Sequence, residues 1–225
     1  GLEPVRVKVW HDWIFINLSE TAPLFEEYAA TLIKQLKDIN FDNEIPILVS
    51  DSQRFIFDKT IIACGAFSKK LTDQVNEKIP LDTERGYHVH FRGYDHLLSR
   101  PVIFLNKGFG ITPMEQGLRV VGTVEFGGLD NPLTKKRIIN LVNNAKYLFP
   151  QLSKHHDEWL GFRPSLPDFL PVIGPSTKYK NLFYAFGHHH LGWTLGAITG
   201  KIIAGMLSGE NTNLNLAPYS SLRFN

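Results

Sequence analysis

The sequence predicts an α+β fold with a mixed, largely antiparallel sheet. Short β-forming runs dominate residues 81–126, and turn residues separate them. A single amphipathic helix follows, from Pro132 and Thr134 to Phe149. Near the C-terminus a strand, a glycine turn and a helix succeed one another over residues 182–209.

The N-terminal residues 5–18 read as strands: Val5, Val7 and Val9 alternate, and Trp13 to Leu18 is rich in β-formers. Ser19 to Pro23 is a turn. Leu24 to Ile39 reads as a helix, with Phe25, Tyr28, Ala29, Leu32, Ile33 and Leu36 on one side. The stretch PVRVKVWHDWIFINLSETAPLFEEY, within residues 1–45, resembles the end of the Rieske domain in ring-hydroxylating oxygenase α subunits. A Rieske cluster takes two cysteine and two histidine ligands, and this segment has no cysteine. The two-histidine, one-carboxylate iron site of such enzymes has no counterpart in the chain either. His11 therefore reads as a surface or turn residue.

From about residue 46 the pattern changes. Arg54 to Ala63 reads as a hairpin arm and then a buried strand, and Ser68 to Val75 as a short helix. Leu81–Phe91, Val102–Leu105, Phe109–Thr112 and Leu118–Phe126 read as strands, the last two separated by the turn-like MEQG. In the following helix Ile138, Leu141, Val142, Ala145, Leu148 and Phe149 form a stripe with a 3.6-residue period, and Pro150 ends it. Its basic residues Lys135, Lys136 and Arg137 read as a solvated face. Residues 159–175 are punctuated by proline and read as poor in regular structure.

Leu182 to Phe186 is an unbroken apolar and aromatic run, suited to a strand buried on both faces. Gly187 breaks it. A helix is expected from about Leu191 to Leu207, with Gly209 as its C-terminal cap. Gly192, Gly196, Gly200 and Ala204 recur every four residues and form one stripe. Each glycine costs a helix about 1 kcal/mol relative to alanine, so the stripe implies a flat neighbour. Two readings fit this turn equally: an anionic group at the free N–H groups of the helix start, or a tight helix–sheet contact without a ligand.

Composition narrows the functions. Twenty-four basic against 22 acidic residues leave a net charge of +2, which is no electrostatic footprint for nucleic acid. The lone cysteine, Cys64, permits no internal disulfide and no cysteine-rich metal site, and fits a cytoplasmic, reducing location. No apolar stretch approaches the roughly 20 residues that span a bilayer. The start GLEPVRVKVWHDW lacks the basic and apolar regions of a signal peptide. Gly-x-Ser-x-Gly is absent, and Cys64, in an apolar setting, reads as core. The run His188, His189, His190 would splay its side chains apart, which disfavours a metal site.

Three stretches in order carry a second resemblance: IIACGAFSKKL (61–71) with PLDTERGYHV (80–89), GFRPSLPDFLPVIG (161–174) and GHHHLGWTLGAITG (187–200). With the intervening GITPMEQGLRVVGTVEFGG, they look like the C-terminal half of the FAD-dependent amino-acid oxidoreductases, the group of D-amino-acid dehydrogenase, glycine oxidase and sarcosine oxidase. The resemblance spans about residues 54–209. It implies a partial FAD-binding α/β domain from residues 51–80 and 164–225, a substrate domain from residues 81–163, and an oxygenase-like segment over residues 1–50. It also implies oxidation of an amino-acid C–N bond, with hydride passing to the flavin.

Residue by residue, Arg163 matches the arginine that pairs with a substrate carboxylate, a role suited to its two-pronged guanidinium. A structural salt bridge is the alternative. Tyr87 and His88 lie on a strand that could face the substrate, and alternation admits only one of them. Ala63, Gly65 and Ala66 match positions passing close to FAD. Gly187, His188, Leu191, Gly192, Trp193 and Thr194 match the segment around the pyrimidine edge of the flavin ring. The family's opening G-x-G-x-x-G turn is absent here, and GFGIT at 108–112 is no substitute. The chain thus reads as two partial sequences joined near residue 50, or as a remnant left by a deletion. Two other functions stay in view: a non-enzymatic fragment that pairs with another chain along an open sheet edge, and a non-haem iron oxygenase fragment.

Overall fold

The computed structural model describes residues 57–210 and 212–224 in full. Of the first 56 residues it describes the backbone of 6–10, 13–17, 38–42, 45–49 and 54–56. The chain divides into two compact units, Gly1–Asp58 and Lys59–Asn225.

In the first unit β1 (Arg6–Trp10) and β2 (Trp13–Asn17) are strands, as expected for residues 5–18, and they pair antiparallel. A second antiparallel sheet contains β3 (Asp38–Asp42), β4 (Ile45–Val49) and β5 (Arg54–Ile56). The helix expected over 24–39 lies outside the described residues except at its end, where Asp38 and Ile39 belong to β3. His11 also lies outside them.

The second unit contains two sheets. The larger is built from β7 (Asp82–Phe91), β8 (Val102–Phe104), β9 (Phe109–Met114), β10 (Gly117–Phe126) and β11 (His156–Ser165). Its order is β11-β7-β10-β9-β8, and every neighbouring pair is antiparallel. A helix, Lys135–Leu148, covers one face. Its stripe behaves as the periodicity predicts: Ile138, Leu141 and Ala145 are buried against Tyr87, Val89, Phe91, Ile111, Leu118 and Val120 of the sheet. Leu141 is 1% exposed, so Leu141→Ala is expected to cost about 2–5 kcal/mol in denaturant unfolding. A loss below about 0.5 kcal/mol would contradict this packing.

The smaller sheet holds the parallel pairing. β6 (Thr60–Ile62) runs parallel to β13 (Leu182–Phe186), and β12 (Val172–Pro175) runs antiparallel to β13. Four of the five residues of β13 are buried, as its apolar run predicts. A helix from Gly192 to Ser208 packs on β12 and β13 through Ile202 and Ile203, and Gly209 closes it in the left-handed conformation. A short helix, Ser68–Gln74, follows β6. In chain order these helices are α1 (Ser68–Gln74), α2 (Lys135–Leu148) and α3 (Gly192–Ser208).

Three expectations need correction. Residues 159–175 are not irregular, since they hold most of β11 and all of β12. β11 is an outer strand of its sheet, where Pro164 costs no interior ladder bond. β6 is only partly buried: it is the outer strand of the smaller sheet, and Ile61 is 40% exposed. The glycine stripe has no flat neighbour among the described residues, for a Cβ built on Gly196 or Gly200 meets nothing within 4 Å. Among the described residues no helix is long and apolar enough to cross a membrane.

Candidate functional site

With α2 on one face, the larger sheet leaves its other face free of that helix. Alternation puts Glu84, Gly86, His88 and His90 of β7 on this second face. Across the ladder from β11 come Trp159, Gly161 and Arg163, paired with His88, Gly86 and Glu84. The glycine pair Gly86–Gly161 makes a floor without side chains, and two large groups fold over it. The Arg163 guanidinium occupies the space that a Cβ at Gly86 would need, and the Trp159 ring occupies that of Gly161. Trp159 also stacks on His88, with ring centres 4.8 Å apart and planes 17° apart.

Arg163 is therefore held down on the sheet, yet its charge is unmatched. Its Nη1 is buried and without a hydrogen-bond partner. Arg163 enters none of the ion pairs among the described residues. The alternative reading of this residue, a structural salt bridge, has no support there.

Tyr87 and His88 separate as alternation requires. Tyr87 is fully buried on the helix-covered face, where its hydroxyl donates to Glu125. It therefore lies on the face opposite Arg163, and of the two residues only His88 shares the Arg163 face. His88 remains beside Trp159. Burial, with help from the Arg119 charge, holds the His88 ring down at about 4 from its ordinary 6.5, so it is neutral near pH 7.

The turn after β13 reaches the same end of β11. The His189 N–H donates to the Pro164 carbonyl at 3.0 Å, one residue beyond Arg163. His189 Nε2 accepts the Leu166 N–H at 3.1 Å, and its ring lies 5.0 Å from that of Phe169. His188 turns the other way, to Thr199 Oγ1 at 2.9 Å, while His190 is exposed. The three rings thus diverge to separate surroundings. Gly187 has φ +87°, and a Cβ there would lie 2.5 Å from Leu166 Cδ1, so the turn needs a glycine on both counts.

Beyond the turn, α3 starts without a side-chain cap. Its first N–H groups have no partners within the helix. Leu191, Gly192, Trp193 and Thr194 are all exposed, Trp193 to 81%. Ala63, Gly65 and Ala66 follow β6 just as Gly187 follows β13, so both turns leave the carboxyl ends of adjacent parallel strands. Ligands of open α/β sheets settle at such an end. Gly65 has φ +53°, with open space where its Cβ would be. Phe67 meets Phe162 edge-on at 6.3 Å, which ties this turn to β11 as well. Ala63 is exposed and Ala66 buried. Burial pushes the Cys64 thiol up to about 11, which leaves it a poor nucleophile.

Four groups on or beside this face escape a reading of the sequence alone: Trp159, Gly86, Arg119 and His90. One signal was available. His88 and His90 two apart on a strand must share a face, and their rings meet edge-on at 5.0 Å.

The histidines also give a pH prediction. Burial lowers the affinity of His88, His90, His188 and His189 for protons. Protons therefore bind the unfolded chain more tightly. The stability they contribute is fully present above the ordinary 6.5 and falls as the pH drops towards about 4, the value of His88. The depressed carboxylates Glu125 and Asp157 act only below their ordinary 4.5 and 3.8. The urea midpoint is expected to fall between about pH 7 and about pH 5, and less so in His88→Gln. An unchanged midpoint would contradict these burials.

Comparison with known proteins gives a consistent family. Residues 24–206 match the family described as FAD dependent oxidoreductase. That match takes in residues 24–45, so the expectation of a Rieske-like segment over residues 1–45 gains no support from it, and it begins some thirty residues before the resemblance expected over residues 54–209. The chain is 35% identical over 187 residues to a D-amino-acid oxidase of Bradyrhizobium diazoefficiens, covering 81% of this chain and 44% of that protein. It is 29% identical over 204 residues to a D-amino acid dehydrogenase of Vibrio atlanticus, covering 84% and 46%. The crystal structure of glycine oxidase from Geobacillus kaustophilus superposes with a TM-score of 0.73 at 28% identity, covering 81% of this chain and 50% of that one. The chain thus spans about half the length of the relatives it matches.

Proposed function

The chain belongs to the FAD dependent oxidoreductase family, and we propose that it forms the substrate-binding part of an enzyme that oxidises the C–N bond of a D-amino acid. The observation that carries this reading is Arg163: a guanidinium pinned over Gly86, with a buried Nη1 that has no partner. A substrate carboxylate would supply the missing partner in two parallel hydrogen bonds, and so orient the α-carbon. His88, neutral and stacked on Trp159, would wall the site without adding charge. The larger sheet, residues 81–163, serves as the substrate domain in this reading. Residues 51–80 and 164–225 form part of the FAD-binding domain in this reading, and the family match reaches back to residue 24.

The residues present fit the ring end of FAD. The turns at Ala63–Ala66 and Gly187–Leu191 flank one sheet end, and the uncapped start of α3 offers free N–H groups. Gly192, Trp193, Thr194 and His188 belong to the same edge. The G-x-G-x-x-G turn that would hold the pyrophosphate is absent from the sequence. Bound FAD would supply the hydride acceptor, so no side chain need act as a general base. The chain's own part is to bind, orient and exclude water. A partner chain or a second copy would cover the open β6 edge, where Ile61 is exposed. A cytoplasmic location agrees with the lone Cys64, which is free.

The test is spectroscopic. Purified chain mixed with excess FAD is expected to retain flavin absorbance after desalting, and a D-amino acid added without oxygen should bleach it. Retention without bleaching would overturn the amino-acid reading. A chain that retains no flavin would overturn its standing as an autonomous flavin protein. Gly192→Val sharpens the test, since a Cβ there meets only His188 Cβ, at 3.9 Å. The variant should fold normally and lose at least about tenfold in FAD affinity, because the branched side chain stands where the ring edge would lie. Unchanged FAD affinity would remove the ring from this helix.

A further inference from the structure

The second face of the larger sheet continues past His88 into an open cavity of about 480 Å³, lined by His90, Arg92, Gln116 and Asp157. His90 is only 7% exposed, yet neither of its ring nitrogens has a hydrogen-bond partner. A buried polar group left without a partner is costly, so an unpartnered ring on the wall of a cavity calls for an occupant. Arg119 of β10 stands directly across the ladder from His90. Its Nε is also buried without a partner, and it enters no ion pair among the described residues.

The other two charges cancel. Arg92 holds Asp157 through Nη2 at 2.9 Å to both carboxylate oxygens and through Nε at 3.2 Å. Lowered proton affinity keeps His90 neutral near pH 7, so it can donate from one nitrogen only. What remains is the neutral imidazole donor and the Gln116 amide on the lining, with the Arg119 guanidinium, which is in no ion pair among the described residues, beside them across the ladder from His90. That set suits a single carboxylate far better than a cation or an apolar group.

We propose that this cavity binds a carboxylate group, with Arg119 supplying the charge and His90 a hydrogen bond. Two sources fit the geometry. His90 lies four residues along β7 from Gly86, where Arg163 rests, which is about 13 Å at about 3.3 Å per residue. The His88–Trp159 stack lies between them as an apolar floor. The carboxylate could thus be the far end of an elongated acidic substrate anchored at Arg163, a version that rests on the proposed function. It could equally be a free small carboxylate, a version that does not.

The experiment follows the histidine ring signals of the full chain by NMR, with His90 assigned through His90→Gln. The probes are acetate and decanedioate, whose extended length matches the separation. Acetate is expected to move the His90 signals saturably, and Arg119→Gln should weaken that binding at least about tenfold. If the source is a substrate tail, decanedioate binds at least about tenfold tighter than acetate and loses this advantage in Arg163→Gln. If the source is a free anion, decanedioate is no tighter and Arg163→Gln changes nothing. No saturable movement with either probe would overturn the site, and that result needs only the unaltered chain. Acetate binding unchanged in a folded Arg119→Gln would overturn it too. A failure to bind FAD leaves the acetate measurement untouched, so the two readings fail separately.

Discussion

Arg85→Met is expected to lower the stability of the second unit by about 3–5 kcal/mol, the usual cost of stripping one partner from a buried ionic group. Arg85 is 1% exposed on the helix-covered face. Its Nη2 donates to the Pro132 carbonyl at 2.6 Å and the Tyr87 hydroxyl at 3.3 Å, and its Nη1 to the Gly127 carbonyl at 3.2 Å. Its Nε lies 3.3 Å from a Glu125 carboxylate oxygen. One side chain thus fastens the loop that leads from β10 into α2. Methionine would fill most of the volume but satisfy none of these acceptors. Glu125 would keep Tyr87, Thr134 Oγ1 at 3.0 Å and the more distant Arg137 at 3.7 Å, and would lose its buried cation. Urea unfolding followed by circular dichroism measures the loss. A change below about 1 kcal/mol would mean that the network carries little of the fold.

That network also marks where reading the sequence stops. The strands and helices of the second unit are legible because their signals are local. The run Leu182–Phe186 gives β13, the Ile138, Leu141 and Ala145 stripe gives α2, and Gly209 gives the end of α3. Glu125 is different. Plain alternation along β10 from Leu118 and Val120 would send it to the opposite face. The ladder slips between Gly122 and Glu125, with Thr123 at φ +65°, and the slip brings Glu125 opposite Arg85. Nothing in VVGTVEF announces that bulge.

The candidate site divides in the same way. Arg163 and the Gly187 turn were legible through motifs. Their meeting was not, because the His189–Pro164 bond joins residues 25 apart along the chain. Choosing His88 over Tyr87 required knowing which sheet face α2 covers, a tertiary fact. The glycine stripe misled in one respect. It signals a close neighbour, and among the described residues that space is open.

Arg163→Lys is expected to weaken carboxylate-substrate binding by about 10- to 100-fold, while leaving FAD retention and the unfolding midpoint near those of the unaltered chain. Lysine keeps the charge but presents a point rather than a fork, and hydrogen bonds to charged groups are worth roughly 1.5–3 kcal/mol. The Arg163 Nη1 has no protein partner to lose, so stability has little reason to change. Gly86→Ala tests the same site from the opposite strand. Its new methyl group would fall within the guanidinium of Arg163, whose flexible end can swing aside at small cost to folding. The charge and the fork are then both intact but displaced, so substrate affinity should fall in this variant as well. Calorimetric titration of a non-reacting carboxylate analogue into each variant reads both effects. Affinity lost in Arg163→Lys but kept in Gly86→Ala would mean that the guanidinium does not bind from its place over Gly86. Affinity kept in both would end the carboxylate role of Arg163 and leave it as a packing residue on the sheet.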